Sequence, residues 1–222
     1  MPRRQRFSSA GYVFHVLNRG AGRQGIFDVD DEYDAFVTLL EKARVRTEMR
    51  VLAYCLMPNH FHLLLWPQTD DSLSQFMQWL TVTHSQRRHA KLGTAGTGPI
   101  YQGRFKSFPV QEDDHFLTVA RYVIRNALRA NLVSRAELWK WTSLWQTEQG
   151  RSDVELARWP LLPGSQWLEY VNEPQTESEL GAIRHSCKTG RPFGLRDWVQ
   201  TTAQRLGLEK SLHSRGNPGK PF

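Results

Sequence analysis

The stretch Val51-Leu-Ala-Tyr-Cys-Leu-Met-Pro-Asn-His-Phe-His-Leu-Leu-Leu-Trp66 decides how the rest of the chain is read. Two apolar runs, Val51 to Met57 and His60 to Trp66, flank Pro58-Asn59, which is the pattern of a β-hairpin. Pro-Asn is not the best two-residue turn, so the assignment leans on the runs themselves. Upstream, Tyr12-Val-Phe-His-Val-Leu is aromatic and β-branched and predicts a strand. The glycine-rich, basic Asn18-Arg-Gly-Ala-Gly-Arg-Gln-Gly predicts a loop after it. Asp30 can cap a helix reaching about Thr47, because Phe36, Leu39, Leu40 and Ala43 recur at helical spacing. Downstream, Ser72 starts a second long helix with Leu73, Phe76, Met77, Leu80 and Val82 on its buried side. Residues 93–99 predict a flexible loop, Phe105 to Val110 a fourth strand, and Asp113-Asp114 the start of a third helix running to about Ala130.

The order is β-α-β-β-α-β with an extra helix. It predicts an α+β chain of ferredoxin-like, RRM-like architecture: one antiparallel sheet with helices on one face, the other face left for a site or a ligand.

Within the hairpin, strand alternation points His60 and His62 to one face and Phe61, Leu63 and Leu65 to the other, towards the helices. Two imidazoles on one sheet face can hold one divalent ion, with a third ligand from elsewhere. A His-x-His pair on a strand is also commonplace without a metal. Leu64 breaks the longer alternation of a histidine-triad hydrolase, and a zinc-protease helix needs histidines four apart. On the third helix Asn126 follows Tyr122 by four residues, so both project from one face about one turn apart. A phenol can act as a nucleophile and an amide oxygen as a metal ligand. A lone helical tyrosine, by contrast, is most simply a core residue.

The chain has 222 residues, 40% of them hydrophobic, with eight Trp; this predicts a packed core. Lys and Arg number 29 against 22 Asp and Glu, a net charge of +7 that suits a polyanionic partner such as nucleic acid. The two cysteines, Cys55 and Cys187, are far apart, which argues against a disulfide framework or a cysteine-rich zinc site and fits a reducing compartment. The start, Met-Pro-Arg-Arg-Gln-Arg, lacks the apolar region of a secretory signal, and no apolar run reaches membrane-spanning length, so a cytoplasmic protein without a membrane partner is expected.

Arg19, Arg23, Arg87, Arg88, Lys91, Arg104 and Lys106 fall in or beside predicted loops and helix ends, where they suit phosphate contacts. Asn18 and Arg125 flank the same segments. After Trp139 the pattern weakens, and Trp139, Trp141, Trp145, Trp159 and Trp167 look like anchors of a wrapping segment. From Arg184 the charge turns basic, with Arg191, Arg196, Arg205, Arg215 and Lys220 among its cations, and a short amphipathic helix is expected around Trp198. That helix suits a nucleic-acid groove and the protein core equally.

Four stretches together carry a resemblance: Phe14-His-Val-Leu-Asn-Arg-Gly, Leu56-Met-Pro-Asn-His-Phe-His-Leu-Leu-Leu, Tyr101-Gln-Gly-Arg-Phe-Lys, and Arg121-Tyr-Val-Ile-Arg-Asn-Ala-Leu-Arg-Ala-Asn-Leu-Val. In this order they resemble the single-tyrosine HUH transposases, in particular the REP-associated tyrosine transposase branch, over roughly residues 7–146. The resemblance implies that His60 and His62 bind Mg²⁺ or Mn²⁺, that Asn126 completes the metal site and that Tyr122 is the nucleophile. Many relatives place a proline after this asparagine; Ala127 stands there instead, which removes no ligand. The implied reaction is cleavage of single-stranded DNA beside a palindromic hairpin through a 5′-phosphotyrosine link, followed by resealing by a 3′-hydroxyl. A domain of residues 1–146 would carry the chemistry. Residues 147–222 would wrap it and contact DNA, with Arg191, Arg196 and Arg205 as candidates for reading the hairpin. Some relatives exchange the tyrosine helix between subunits, so both a monomer and a homodimer fit. The rival readings are a non-catalytic hairpin-binding regulator, an RNA-binding module on the same architecture, and a metal-dependent hydrolase in which Tyr122 is structural.

Overall fold

A computed structural model describes residues 10–213; the opening Met-Pro-Arg-Arg-Gln-Arg, Arg215 and Lys220 lie outside the described residues. Four strands, β1 (Val13–Arg19), β2 (Arg50–Met57), β3 (His60–Trp66) and β4 (Lys106–Val110), form one sheet in the order β2-β3-β1-β4. Every pairing is antiparallel. This is the order expected of the split βαβ pattern. The hairpin sets the register: Met57 faces His60 and Cys55 faces His62. On its other side β3 pairs with β1, where Leu17 faces His62 and Arg19 faces His60.

Helices α1 (Asp30–Arg46) and α2 (Ser72–Leu92) cover one face. They bury Phe36, Leu39, Leu40, Phe76, Met77 and Leu80 against Phe14, Val16, Phe61, Leu63 and Leu65 of the sheet. Asp30 is the first residue of α1 rather than its cap, which is Val29; with Asp31 and Glu32 it still places negative charge on the positive end of the helix dipole. Val82, expected on the buried side of α2, is exposed.

The second face is not free, contrary to expectation. Helix α3 (Asp114–Ile124) lies on it, burying Phe116, Val119, Ala120 and Val123 against Ala53, Cys55, Leu64 and Phe108. Its apolar side is too large to leave in water: each of these side chains contributes roughly 1–3 kcal/mol when buried. The single helix expected to run to Ala130 is interrupted at Arg125, whose ψ is −1°, and resumes as α4 (Asn126–Arg129).

Among the described residues four further α-helices follow: α5 (Ser143–Glu148), α6 (Trp167–Asn172), α7 (Glu177–Thr189) and α8 (Arg196–Arg205). The segment that carries them protects both sheet edges. Along β2 the Trp139 indole donates to the Leu56 carbonyl, the Trp159 indole to the Leu52 carbonyl, and the Leu56 amide to the Trp141 carbonyl. Along β4 the Gln111 and Phe193 amides donate to the Phe193 and Pro109 carbonyls respectively. Covered edges cannot template pairing with other chains. Helix α8 buries Val199, Thr202 and Ala203, so the amphipathic helix around Trp198 packs on the core. Among the described residues, no helix is long and apolar enough to cross a membrane.

Candidate nucleic-acid cleavage site

The covered face of the sheet opens at one end. There β1, the end of β2, β3, β4, α3, α4 and α7 surround a pocket of about 510 Å³. His60 and His62 of β3, Tyr122 of α3 and Asn126 of α4 all line it, so the two pairs read from local spacing meet in one place. The His60 and His62 ring centres are 5.0 Å apart, and the Tyr122 ring lies edge-on to His62 at 5.4 Å. Both halves belong to one chain. Although α4 is a separate turn of helix, Asn126 still shares the pocket with Tyr122.

Each histidine has its Nδ1 engaged. The Asn59 side-chain N–H donates to the Arg23 carbonyl at 3.1 Å, which turns its oxygen towards His60 Nδ1, 2.6 Å away. The His60 ring must then donate from Nδ1, leaving Nε2 with a free lone pair. The turn that carries Asn59 is held by the loop after β1, through the Gly20 amide on the Asn59 carbonyl and the Ile26 amide on the Pro58 carbonyl. His62 Nδ1 meets Nε2 of His15, a buried β1 residue, at 2.9 Å. His15 Nδ1 in turn faces Cys187 Sγ of α7 at 3.9 Å.

Burial keeps these imidazoles neutral. It pulls His60 down to about 4, helped by the Arg19 and Arg129 charges and opposed by a hydrogen bond to the Asn126 side chain. His62 is held well below its ordinary value by burial and by its histidine and arginine neighbours, and His15 is lowered to about 3 by burial. A neutral imidazole is the form that binds metals. The Asn126 amide is buried, with its nitrogen lacking a hydrogen-bond partner. Two neutral imidazoles and an amide oxygen fit a divalent ion whose remaining coordination stays open to water or a phosphate oxygen. No acidic ligand joins them: among the described residues, no three His, Cys, Asp or Glu side chains group to hold a metal.

Burial also raises the Tyr122 phenol, as does the nearby Cys187; the Arg129 charge and hydrogen bond act in the opposite direction. Arg19, Lys106, Arg129, Arg184 and Lys188 line the same pocket, and among the described residues the lining includes no Asp or Glu. An unbalanced cluster of cations around a phenol suits a phosphodiester.

The expected DNA-contacting residues separate into groups. Arg19 and Lys106 line the pocket. Arg125 is half-buried at the break between α3 and α4, its Nε unpaired. Asn18 points to the opposite sheet face and, with the exposed Arg104, borders a cavity of about 1000 Å³ against α2. Arg23 and Arg87 are exposed on the surface. Arg88 is buried and structural: it pairs with Asp28 and Glu32 at 2.8 Å each and donates to the Gly25 carbonyl. Lys91 joins that cluster through Glu32 at 3.0 Å. Arg191, Arg196 and Arg205 lie outside the pocket lining; from the basic C-terminal run it is Arg184 and Lys188 that reach it.

Sequence reading missed His15, Arg129 and Cys187. Arg129 had a usable signal, since it follows Asn126 by three residues and so lies on the same side of the helix. His15 and Cys187 had none, because their positions depend on strand pairing and on the docking of α7.

A family model described as "Transposase IS200 like" matches residues 8–126. A solved structure of a REP-associated tyrosine transposase bound to a REP hairpin superposes with a TM-score of 0.54 at 16% identity, covering 74% of this chain and 92% of the other. A protein of Deinococcus radiodurans R1 assigned as a transposase is similar at 16% identity, covering 55% of this chain and 95% of its own, with a TM-score of 0.40. At such identities the likeness is one of fold. No curated protein matches the sequence.

Proposed function

This chain belongs to the family of IS200-like transposases, and from that premise we propose that it cuts and rejoins single-stranded DNA with Tyr122 as its nucleophile. The observation that carries the reading is the meeting of Tyr122, His60, His62 and Asn126 in one pocket whose other charged side chains are all cationic. We propose the REP-associated branch, and with it a single-stranded DNA partner bearing a palindromic hairpin. The support is the fold shared with a hairpin-bound relative.

Arg19, Lys106, Arg184 and Lys188 would hold the scissile phosphate and offset its charge. The Tyr122 phenolic oxygen attacks phosphorus, the bond to the 3′-oxygen breaks, and the DNA is left as a 5′-phosphotyrosine ester and a free 3′-hydroxyl. The phenol gives up its proton and the departing oxygen gains one. Attack by a 3′-hydroxyl on the ester reverses the exchange, so no nucleotide cofactor is consumed. His60, His62 and Asn126 would hold Mg²⁺ or Mn²⁺, which when bound would supply Lewis-acid polarisation of the phosphate. Arg129, stacked on Tyr122, stabilises the phenolate. With both halves of the site in one chain, the proposed reaction draws no residue from a second subunit, and both a monomer and a homodimer fit it.

The test is incubation with Mn²⁺ and a hairpin-bearing single strand, followed by a denaturing gel. The wild type should give a covalent protein–DNA adduct and Tyr122→Phe none. Cleavage without an adduct would assign the chemistry to water. Hairpin binding with neither would make the protein a regulator.

A further inference from the structure

We infer that His15 is a positioning residue: by accepting a hydrogen bond from His62 Nδ1 it holds His62 in the tautomer whose Nε2 lone pair faces the pocket. The inference rests on the proposal that His60 and His62 bind a divalent ion.

A neutral imidazole carries one proton, on either Nδ1 or Nε2, and only the unprotonated nitrogen can bind a metal. At His60 the choice is made by Asn59, whose oxygen is oriented by its own N–H bond to the Arg23 carbonyl. At His62 the corresponding contact is His15 Nε2, 2.9 Å from His62 Nδ1. Two polarities are possible for this contact. If His15 donates, His62 carries its proton on Nε2 and the pocket faces an N–H. If His15 accepts, its own proton sits on Nδ1, directed at Cys187 Sγ 3.9 Å away, and His62 presents a lone pair beside His60. Both arrangements partner the same three nitrogens, because the Cys187 thiol can donate or accept; only the second leaves a lone pair on both metal-facing nitrogens. Packing holds the His15 ring in place: it lies tilted against Phe108 with ring centres 4.7 Å apart, is 1% exposed, and faces Leu64 across β1 and β3, two residues along from the Leu17–His62 pair. Partners of this kind behind a metal-binding histidine alter affinity about 10- to 100-fold when removed.

The test uses the full chain without DNA. Long-range ¹H–¹⁵N correlation spectra of metal-free protein report the His62 tautomer, and electron paramagnetic resonance titration reports the Mn²⁺ affinity. The wild type is expected to show the Nδ1–H form of His62. His15→Phe keeps the aromatic volume but removes the acceptor, and should weaken Mn²⁺ binding by about tenfold or more. His15→Gln supplies an amide oxygen and should restore most of it. Thermal melts establish that both variants fold, and a melted His15→Phe would move the comparison to His15→Gln against His15→Met. A His62 ring found as Nε2–H in the wild type, or Mn²⁺ affinity unchanged in a folded variant lacking the acceptor, overturns the inference. Either result leaves the Tyr122 adduct assay untouched, so the two proposals fail separately.

Discussion

The guanidinium carbon of Arg129 lies 4.7 Å from the centre of the Tyr122 ring, across the break that separates α3 from α4. A cation over a phenol face is attractive in itself and becomes more so when the ring ionises. In this pocket it opposes the burial that raises the phenol.

Removing that charge should slow adduct formation without abolishing it. Arg129→Gln is expected to lower the single-turnover rate by about 10- to 100-fold at neutral pH, equivalent to roughly 1.4–2.8 kcal/mol in the barrier. The alkaline rise of the pH–rate profile should move upward, because the phenolate has lost its counter-charge, and Arg129→Lys should fall between the two. A profile superimposable on the wild type would remove Arg129 from the chemistry.

The donor set also predicts a metal preference. Imidazole nitrogens suit Mn²⁺ better than Mg²⁺, which favours oxygen ligands. Half-maximal adduct yield should therefore require less Mn²⁺ than Mg²⁺, and His60→Ala should raise both requirements. Chelation should stop adduct formation while leaving hairpin binding, which depends on the cations, largely intact. Gel-shift and adduct assays on the same samples check both halves.

Arg88 and Arg19 should respond in opposite ways. The Arg88 side chain is 7% exposed, and its truncation leaves Glu32, 10% exposed, with Lys91 as its one remaining cation among the described residues. Arg88→Ala is expected to cost about 3–5 kcal/mol in urea unfolding, the range for breaking a buried pair. Arg19→Ala, at the pocket, should leave stability nearly unchanged and reduce the salt dependence of DNA binding by about one phosphate contact. Equal stability of the two variants would contradict the structural role of Arg88.

Stability should fall on mild acidification. His84 is buried, shares a hydrogen bond with the Tyr101 hydroxyl at 2.7 Å, and is lowered from 6.5 to about 4, first by burial and then by Arg88. Above pH 6.5 both folded and unfolded chains hold it neutral. Between 6.5 and about 4 only the unfolded chain takes up the proton, so the fold loses stability as pH drops, by a few kcal/mol in total; below about 4 this group adds no further loss. The urea midpoint should be lower at pH 5 than at pH 7.5, and His84→Gln should narrow the gap. An unchanged gap would place the acid sensitivity on His15, His60 and His62, which are shifted in the same direction.

Local periodicity alone determined the element order, the shared face of His60 and His62, and the shared side of Tyr122 and Asn126. These follow from the two-residue repeat of a strand and the 3.6-residue repeat of a helix, which any stretch of chain obeys by itself. Tertiary structure decided the rest. Pairing of β1 with β3 brought His15 to His62, although 47 residues separate them in the chain. The same apolar side of α3 that could only be called core-like closed the second sheet face and brought Tyr122 to the histidines of its own chain. Docking of α7 supplied Arg184, Cys187 and Lys188, while a carboxylate cluster on α1 and the preceding loop withdrew Arg88 from the surface. Register and docking are set by which distant surfaces bury best together, and that quantity does not exist until the chain has folded.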